Sequence, residues 1–81
     1  MKLLKFYADW CGPCKMQSKI MEAVDMPGIT VENIDIDASS DIATKYRVRS
    51  IPTLVMLNDN GEEVGRKTGI QTAEQLTAFI Q

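Results

Sequence analysis

Trp10-Cys11-Gly12-Pro13-Cys14-Lys15 decides the fold, because this stretch joins an apolar run to a helical pattern and carries both cysteines of the chain. The preceding run, Leu3–Ala8, has the length and composition of a buried strand. Pro13 suits the first position of a helix, where its missing N–H would have had no partner. We therefore predict a strand, a turn over residues 9–12 and a helix that begins at the cysteines.

The next two elements complete a βαβ unit. Met16, Ile20 and Val24 recur every four residues and predict an apolar stripe on the first helix, which should end at Pro27-Gly28. The β-rich segment Ile29–Asp37 predicts a second strand. A helix that connects two strands favours parallel, right-handed pairing between them.

The second half of the chain predicts a short helix, a hairpin and a last helix. The capping residues Ser39–Asp41 precede the short helix. Two strands, Thr53–Leu57 and Glu63–Thr68, flank the turn-rich Asn58-Asp59-Asn60-Gly61 and favour an antiparallel hairpin. Thr72 has capping-box spacing to the glutamine three residues later. The predicted order is βαβαββα, an α/β fold in which three helices flank a four-stranded mixed sheet.

Length and charge narrow the class of protein. The chain has 81 residues and no linker-like tract, which predicts a single domain over residues 1–81. Nine Lys and Arg against eleven Asp and Glu give a net charge of -2, which argues against nucleic acid as a partner. The sequence has no histidine, which excludes Ser-His and Cys-His catalytic pairs. Two cysteines are too few for a closed zinc or iron-sulfur site, so we expect no metal and no cofactor.

The sequence contains no segment typical of a signal peptide or of a membrane-spanning helix. The pair Leu3-Leu4 is far shorter than the apolar region of a signal peptide, and no later segment has the length to span a bilayer. We therefore expect a cytoplasmic protein with no membrane partner.

The two thiols at the strand-helix junction predict redox chemistry. Cys11 stands where unpaired N–H groups and the helix dipole favour a thiolate, whereas Cys14 lies one turn inside and can approach its sulfur. A disulfide between them would close a loop of about four residues, which is a poor way to stabilise a fold. A metal site completed by a second chain is the alternative interpretation of a lone Cys-x-x-Cys.

At these residues the chain resembles the thioredoxin family, whose redox motif is Trp-Cys-Gly-Pro-Cys-Lys. The resemblance extends to Ile51-Pro52-Thr53, to the turn Asn60-Gly61 and to Gly69 before the last helix. It implies a minimal thioredoxin-like fold of glutaredoxin size, without the family's additional N-terminal strand and helix.

The resemblance also assigns roles to residues. It implies a thiol-disulfide oxidoreductase that reduces protein disulfides, with Cys11 as the attacking thiolate and Cys14 as the resolving thiol. Gly12 and Pro13 would tune the redox potential toward that of a reductant. The implied substrate-binding residues are Trp10, Ile51, Pro52 and Ile70.

The proline of this set carries the most specific expectation. The resemblance implies a cis bond before Pro52, which would leave the backbone of Ile51 free to pair with an extended substrate segment. Without the resemblance, Pro52 could equally be a trans proline at the start of an edge strand, and Trp10 a surface aromatic.

Partners follow from the same resemblance. We expect disulfide-containing substrate proteins and, as electron donor, a thioredoxin reductase that is an NADPH-dependent flavoprotein; we expect the chain itself to be a monomer. Two alternatives remain open. The length suggests an enzyme charged by glutathione, although the paired glycines and Asp that help glutaredoxins hold glutathione have no match after Pro52. The second alternative is a non-redox binding subunit with the same fold.

Lys5 is the main departure from the family. Thioredoxins carry a buried Asp six residues before the first cysteine, and this chain has Lys5 there, while Asn33 replaces the lysine that partners that Asp. Lys5 shares a strand face with Leu3 and Tyr7, which by resemblance lies beneath Cys14. One interpretation is a side chain that extends its ammonium to water; the other is a partly desolvated amine that tunes the redox pair.

Overall fold

Seven elements follow one another in the order βαβαββα. The computed structural model describes all residues, 1–81. The elements are β1 (Lys2–Tyr7), α1 (Gly12–Glu22), β2 (Thr30–Asp35), α2 (Ser40–Lys45), β3 (Thr53–Leu57), β4 (Glu63–Thr68) and α3 (Ala73–Ile80). The predicted α/β fold with a four-stranded mixed sheet and three helices is therefore confirmed.

The strands form one sheet in the order β2-β1-β3-β4. β1 pairs in parallel with β2 and antiparallel with β3, and β3 pairs antiparallel with β4 in the predicted hairpin. Lys5 lies in the middle of β1, with Asn33 opposite it on β2 and Leu54 on β3. The strand that leads to the cysteines is therefore flanked on both sides by other strands.

Helices cover both faces of the sheet. The face toward α2 buries a core of Leu4, Phe6, Ile34, Ala43, Val55 and Leu57. The face toward α1 and α3 buries Leu3, Met21, Leu54, Met56 and Leu76. Successive residues of β1 alternate between these two cores, as the two-residue period of a strand requires.

The first helix is shorter than predicted, and of its predicted apolar stripe only Ile20 and Val24 pack against the core, where both are half-buried. It ends at Glu22 rather than at Pro27-Gly28, because Ala23 and Val24 donate to carbonyls only three residues back and close a tight last turn. Met16, predicted on the apolar stripe, is 52% exposed.

The buried positions of α1 are instead Cys14, Gln17 and Met21. Their spacing of three and four residues follows one face of a helix. The cysteine at the first turn sets which face packs inward, and that face carries Gln17 where Met16 was expected.

The last helix begins as its capping box predicts. The Thr72 hydroxyl accepts the N–H of Gln75, and the Gln75 side chain accepts the N–H of Thr72. None of the helices combines the length and apolar character needed to cross a membrane.

Candidate active site

Cys11 and Cys14 lie between the end of β1 and the first turn of α1, as the sequence predicts. The two are joined by a disulfide and their Cα atoms are 5.2 Å apart. Cys11 is 4% exposed and Cys14 2% exposed. Both pack with Ala8 against the half-buried side chains of Tyr7, Ile36 and Ile51. The pair therefore sits just below an apolar surface at one end of the sheet.

Cys11 caps the helix that contains Cys14. Its sulfur accepts the backbone N–H of Cys14 at 3.1 Å, and its own N–H donates to the carbonyl of Ala8 at 3.1 Å. Pro13 occupies the first turn, where it removes one N–H that would compete for a partner. The positive end of the helix dipole thus lies at the Cys11 sulfur, which favours a negative charge on that atom.

The Ile51-Pro52 loop borders the cysteine pair. The peptide bond before Pro52 is cis, and the proline ring is buried. The Pro52 carbonyl accepts the N–H of Gly69 at 2.9 Å. The backbone N–H and C=O of Ile51 make no hydrogen bond within the chain, so both are available to a partner.

Ile70 is 42% exposed and directly follows Gly69, whose N–H donates to the carbonyl of Pro52. The next residue is fixed as well, because the Gln17 side chain donates to the carbonyl of Gln71 at 3.1 Å and accepts its N–H at 2.6 Å. Gln17 is fully buried. Ile70 is therefore held between two anchored neighbours, one tied to the Pro52 loop and the other to the cysteine helix.

Trp10 directly precedes Cys11 and is 69% exposed. Its indole N–H donates to a carboxylate oxygen of Asp37 at 3.0 Å, which orients the ring. A cavity of about 400 Å³ lies beside the ring; it is lined by Trp10, Ile36, Ser40, Ala43, Thr44, Val48, Arg49, Ser50 and Ile51. The exposed aromatic thus borders a cleft whose wall includes Ile36 and Ile51, two of the residues that pack against the cysteine pair.

Lys5 lies beneath the cysteine helix, and its interpretation as a water-exposed lysine is wrong. The residue is 4% exposed, and its amine donates to the hydroxyl of Ser18. The amine lies 5.5 Å from the centroid of the Tyr7 ring. Burial lowers the pKa of the Lys5 amine from its ordinary value of 10.5, and the nearby carboxylate of Glu22 opposes that shift. This lysine is therefore part of the polar interior next to the site.

The site also contains three polar residues that the sequence patterns did not indicate. Gln17 and Gln71 form the buried pair described above, and Ser18 donates to the carbonyl of Cys14 at 3.2 Å while it accepts from Lys5. The positions of Gln17 and Ser18, three and four residues after Cys14, could have indicated that they share its helix face. Nothing in the sequence pairs Gln17 with a residue 54 positions away.

The arrangement supplies two thiols and an oriented surface for thiol chemistry. No group of three or more His, Cys, Asp or Glu side chains that could hold a metal ion occurs in the structure. A disulfide at the start of a helix, bordered by a cis proline and joined to a strand of a mixed sheet, defines the thiol-disulfide oxidoreductases of the thioredoxin fold.

Comparisons with known proteins agree with that class. The family model described as Thioredoxin matches residues 1–81. A thioredoxin of Chlamydia trachomatis is 42% identical over 80 residues, which are 96% of this chain and 78% of the relative. A thioredoxin of Chlamydia pneumoniae is 45% identical with the same coverage. The chain therefore belongs to the thioredoxin family.

Solved structures show the same likeness. A single-site mutant of the thioredoxin of Halobacterium salinarum superposes with a TM-score of 0.89 at 40% identity, over 98% of this chain and 70% of that one. Mitochondrial thioredoxin 3 of Saccharomyces cerevisiae, in its oxidised form, gives a TM-score of 0.82 at 35% identity over 98% and 74%. Family, fold and cysteine pair together support thiol-disulfide oxidoreductase activity.

Proposed function

We propose that the chain reduces disulfides of other proteins, with Cys11 as the attacking thiolate and Cys14 as the resolving thiol. The observation that carries this proposal is the position of the Cys11 sulfur at the N-terminus of α1, where it accepts the N–H of Cys14. A group in that position is stabilised as an anion, and the anion is the nucleophile in disulfide exchange.

The reaction has two steps. The Cys11 thiolate attacks one sulfur of the substrate disulfide, forms a mixed disulfide and expels the other substrate sulfur as a thiolate. The Cys14 thiol then loses its proton and attacks the Cys11 sulfur, which releases the second substrate thiolate and closes the Cys11–Cys14 disulfide. Two electrons pass from the cysteine pair to the substrate. The Cα separation of 5.2 Å suits the bond that forms in the second step.

Recognition of the substrate would use the surface around the disulfide. The free N–H and C=O of Ile51 can pair with an extended substrate segment in the manner of an added strand. Pro52 would hold that backbone against the cysteines. Trp10 and Ile70 are exposed apolar side chains, suited to contact the side chains of such a segment.

Gly12 and Pro13 separate the two thiols and complete the proposed redox centre. Neither supplies a side chain that could donate a proton or a charge, so the pair's potential would depend on the helix end and on the polar groups below it. The open space above Gly12 leaves room for a substrate backbone to approach the sulfur of Cys11.

Recharging would be carried out by a thioredoxin reductase, an NADPH-dependent flavoprotein, with the chain as a monomer in the cytoplasm. If glutathione is the electron donor, the chain is the glutaredoxin-like enzyme. If the chain binds partners without transferring electrons, it is the non-redox binding subunit. The oxidised chain therefore needs to be tested with each donor separately, since only its disulfide can accept electrons.

The decisive experiment is to trap the intermediate. Cys14→Ser should accumulate a mixed disulfide between Cys11 and a disulfide-containing protein such as insulin, because attack is retained and resolution is lost. Cys11→Ser is the matched control and should form no adduct. The adduct is measured by non-reducing electrophoresis and mass spectrometry, and it should dissociate on addition of dithiothreitol.

Three results would contradict the proposal. Adducts of equal amount in both variants would remove the division of roles between the cysteines. Turnover with glutathione but not with a thioredoxin reductase would favour the glutaredoxin-like alternative. Partner binding that survives replacement of both cysteines by serine, with no disulfide reduction by the wild type, would favour the non-redox subunit.

A further inference from the structure

The Lys5 amine is the one buried cation next to the redox pair. It lies on β1 between β2 and β3, under the first turns of α1, and it takes part in none of the ion pairs of the structure. An ammonium in such a place is costly unless a function or a partner compensates for its loss of hydration. The only compensation from a hydrogen-bonding side chain is the hydroxyl of Ser18.

That hydroxyl connects the amine to the resolving cysteine. Ser18 accepts from Lys5 and donates to the carbonyl of Cys14 at 3.2 Å. The three residues form a continuous hydrogen-bonded path from the central strand to the cysteine helix. The amine is therefore two hydrogen bonds away from the backbone carbonyl of Cys14.

Lys5 and Cys14 also share a cavity. It has a volume of about 300 Å³ and is lined by Lys5, Tyr7, Ala8, Asp9, Cys14, Lys15, Ser18 and Asn33. Water occupies roughly 30 Å³ per molecule in the liquid, so the cavity can hold several waters in contact with polar groups. Because both residues line this cavity, water within it can carry a proton from one residue to the other.

Few charges compete for that proton. The charged or titratable groups near the amine are Glu22 and Lys15 on α1, Tyr7 on its own strand and Asp9 in the following loop. The strands on either side present Asn33 and Leu54, neither of which titrates.

We propose that the Lys5 amine accepts the proton of Cys14 when Cys14 resolves the mixed disulfide, and returns it when the Cys11–Cys14 disulfide is reduced again. The inference rests on the proposed function, since it concerns the second step of that reaction. The Lys5 amine does not contact the Cys14 sulfur. It would act on Cys14 indirectly, through the water in the shared cavity and through the hydroxyl of Ser18.

The step balances without another reactant. A neutral Lys5 amine takes the proton from the Cys14 thiol and becomes an ammonium, and the Cys14 thiolate attacks the Cys11 sulfur of the mixed disulfide. The S–S bond to the substrate breaks, and the substrate sulfur leaves as a thiolate with the electron pair. During recharging, the electron donor opens the Cys11–Cys14 bond and the ammonium gives its proton to the Cys14 sulfur.

Burial makes the amine suitable for this role. It lowers the pKa of Lys5, so a larger fraction of the side chain is neutral near physiological pH than for an exposed lysine. General bases work best when their pKa lies near the operating pH. The carboxylate of Glu22 raises the pKa in part, which keeps the ammonium form accessible for the return of the proton.

The test separates attack from resolution in a single turnover. The reduced chain is mixed with dithiobis(nitrobenzoic acid) in a stopped-flow instrument, where the first nitrothiobenzoate is released when Cys11 attacks and the second when Cys14 resolves. Lys5→Met keeps the apolar stem and removes the amine. We expect an unchanged first phase and a second phase about a hundredfold slower or more near neutral pH, at the low end of the usual range for a proton-transfer group.

Lys5→Arg distinguishes proton transfer from charge alone. The guanidinium stays charged at every accessible pH, so the second phase should be as slow as in Lys5→Met. A second phase restored by arginine would overturn the proposal in favour of a purely electrostatic effect. Lys19→Met, which removes an exposed lysine of the helix that carries Cys14, is the matched control and should leave both phases unchanged.

The dependence of the second-phase rate on pH distinguishes proton transfer from a packing defect, because a packing defect would not change the shape of that dependence. In the wild type the rate of the second phase should level off above the pKa of Lys5, whereas in Lys5→Met it should keep rising with hydroxide concentration. Identical profiles in the two proteins would overturn the proposal. If Lys5→Met does not fold, Ser18→Ala serves instead, because loss of the hydrogen-bond partner should shift the midpoint of the wild-type profile; an unchanged midpoint is the contrary result.

The outcomes also distinguish this inference from the proposed function. A wild type that releases one nitrothiobenzoate or none lacks the two-step reaction, and the proposed function itself fails. A wild type that releases both, with Lys5 variants that do so at the same rate and pH profile, retains the function and removes the role of Lys5.

Discussion

The two faces of the sheet are built from the same strands but bury different kinds of side chain. The face toward α2 is filled with aliphatic and aromatic groups centred on Phe6, whose ring lies 5.9 Å from that of Tyr46. The face toward α1 and α3 contains an apolar cluster of similar size, and beside it the buried Lys5 and Gln17. Buried charged and amide side chains are therefore confined to the face that carries the cysteines, whereas the α2 face buries only the hydroxyl of Thr53, which donates to the carbonyl of Ser50.

The difference suggests a division of work between the faces. Apolar burial contributes stability in proportion to the area removed from water, and the α2 face provides it without buried charges or amides. Every buried polar group on the other face needs a hydrogen-bond partner, and each one has such a partner. That face therefore holds a network that fixes the cysteine helix, the Gln71 loop and the central strand relative to one another.

The largest effect should come from the apolar face. Phe6→Ala should lower the free energy of unfolding by about 3–5 kcal/mol, because the side chain is fully buried and its removal leaves a cavity. Urea unfolding of the oxidised protein measures the loss, and Phe6→Leu should show a smaller one. A loss below about 1 kcal/mol would mean that the α2 face is not the main source of stability.

A smaller but more local effect should follow from Gln17→Leu on the polar face. The change keeps the bulk of the side chain but leaves the N–H and C=O of Gln71 without partners, which should cost roughly 2–3 kcal/mol. Amide hydrogen exchange at Gln71 should accelerate more than exchange in β3. Met16→Leu, on the exposed side of the same helix, is the control and should change stability by less than about 0.5 kcal/mol. Equal exchange at Gln71 in wild type and variant would show that Gln17 does not hold the loop.

The smallest effect is the dependence of stability on pH through Lys5. Burial lowers the pKa of the folded-state amine, so the unfolded chain binds its proton more tightly. Below the folded-state pKa of Lys5, the wild type is therefore destabilised by the cost of burying a charged amine. Its free energy of unfolding increases as the pH rises from that pKa toward 10.5. In Lys5→Met this gain should be absent.

The measurement compares unfolding free energies of the oxidised wild type and Lys5→Met over the alkaline range. The oxidised chain has no free cysteine that could titrate there. The difference between the two proteins should shift in favour of the wild type as pH rises, whereas Lys19→Met should run parallel to the wild type. Parallel curves for Lys5→Met would mean that the amine is hydrated despite its burial.

Local patterns explain why so much of the fold could be predicted. The hairpin follows from its turn residues, and the capping box at Thr72 from a spacing of three residues. Errors arose where a boundary or a helix face depends on packing. The first helix stops at Glu22 although no breaker occurs there, and it turns Gln17 inward and leaves Met16 in water. Hydrophobicity alone predicts the opposite arrangement, with Met16 buried and Gln17 exposed.

The sequence by itself determined the order of the elements and the position of Cys11 at the start of a helix, because both depend on residues only a few positions apart. Only the tertiary structure decided what lies beneath the cysteines. Gln17 reaches Gln71 across 54 positions and Lys5 reaches Ser18 across 13. A long polar side chain can extend to solvent or fold back into the interior, and which it does depends on whether a distant segment supplies a hydrogen-bond partner.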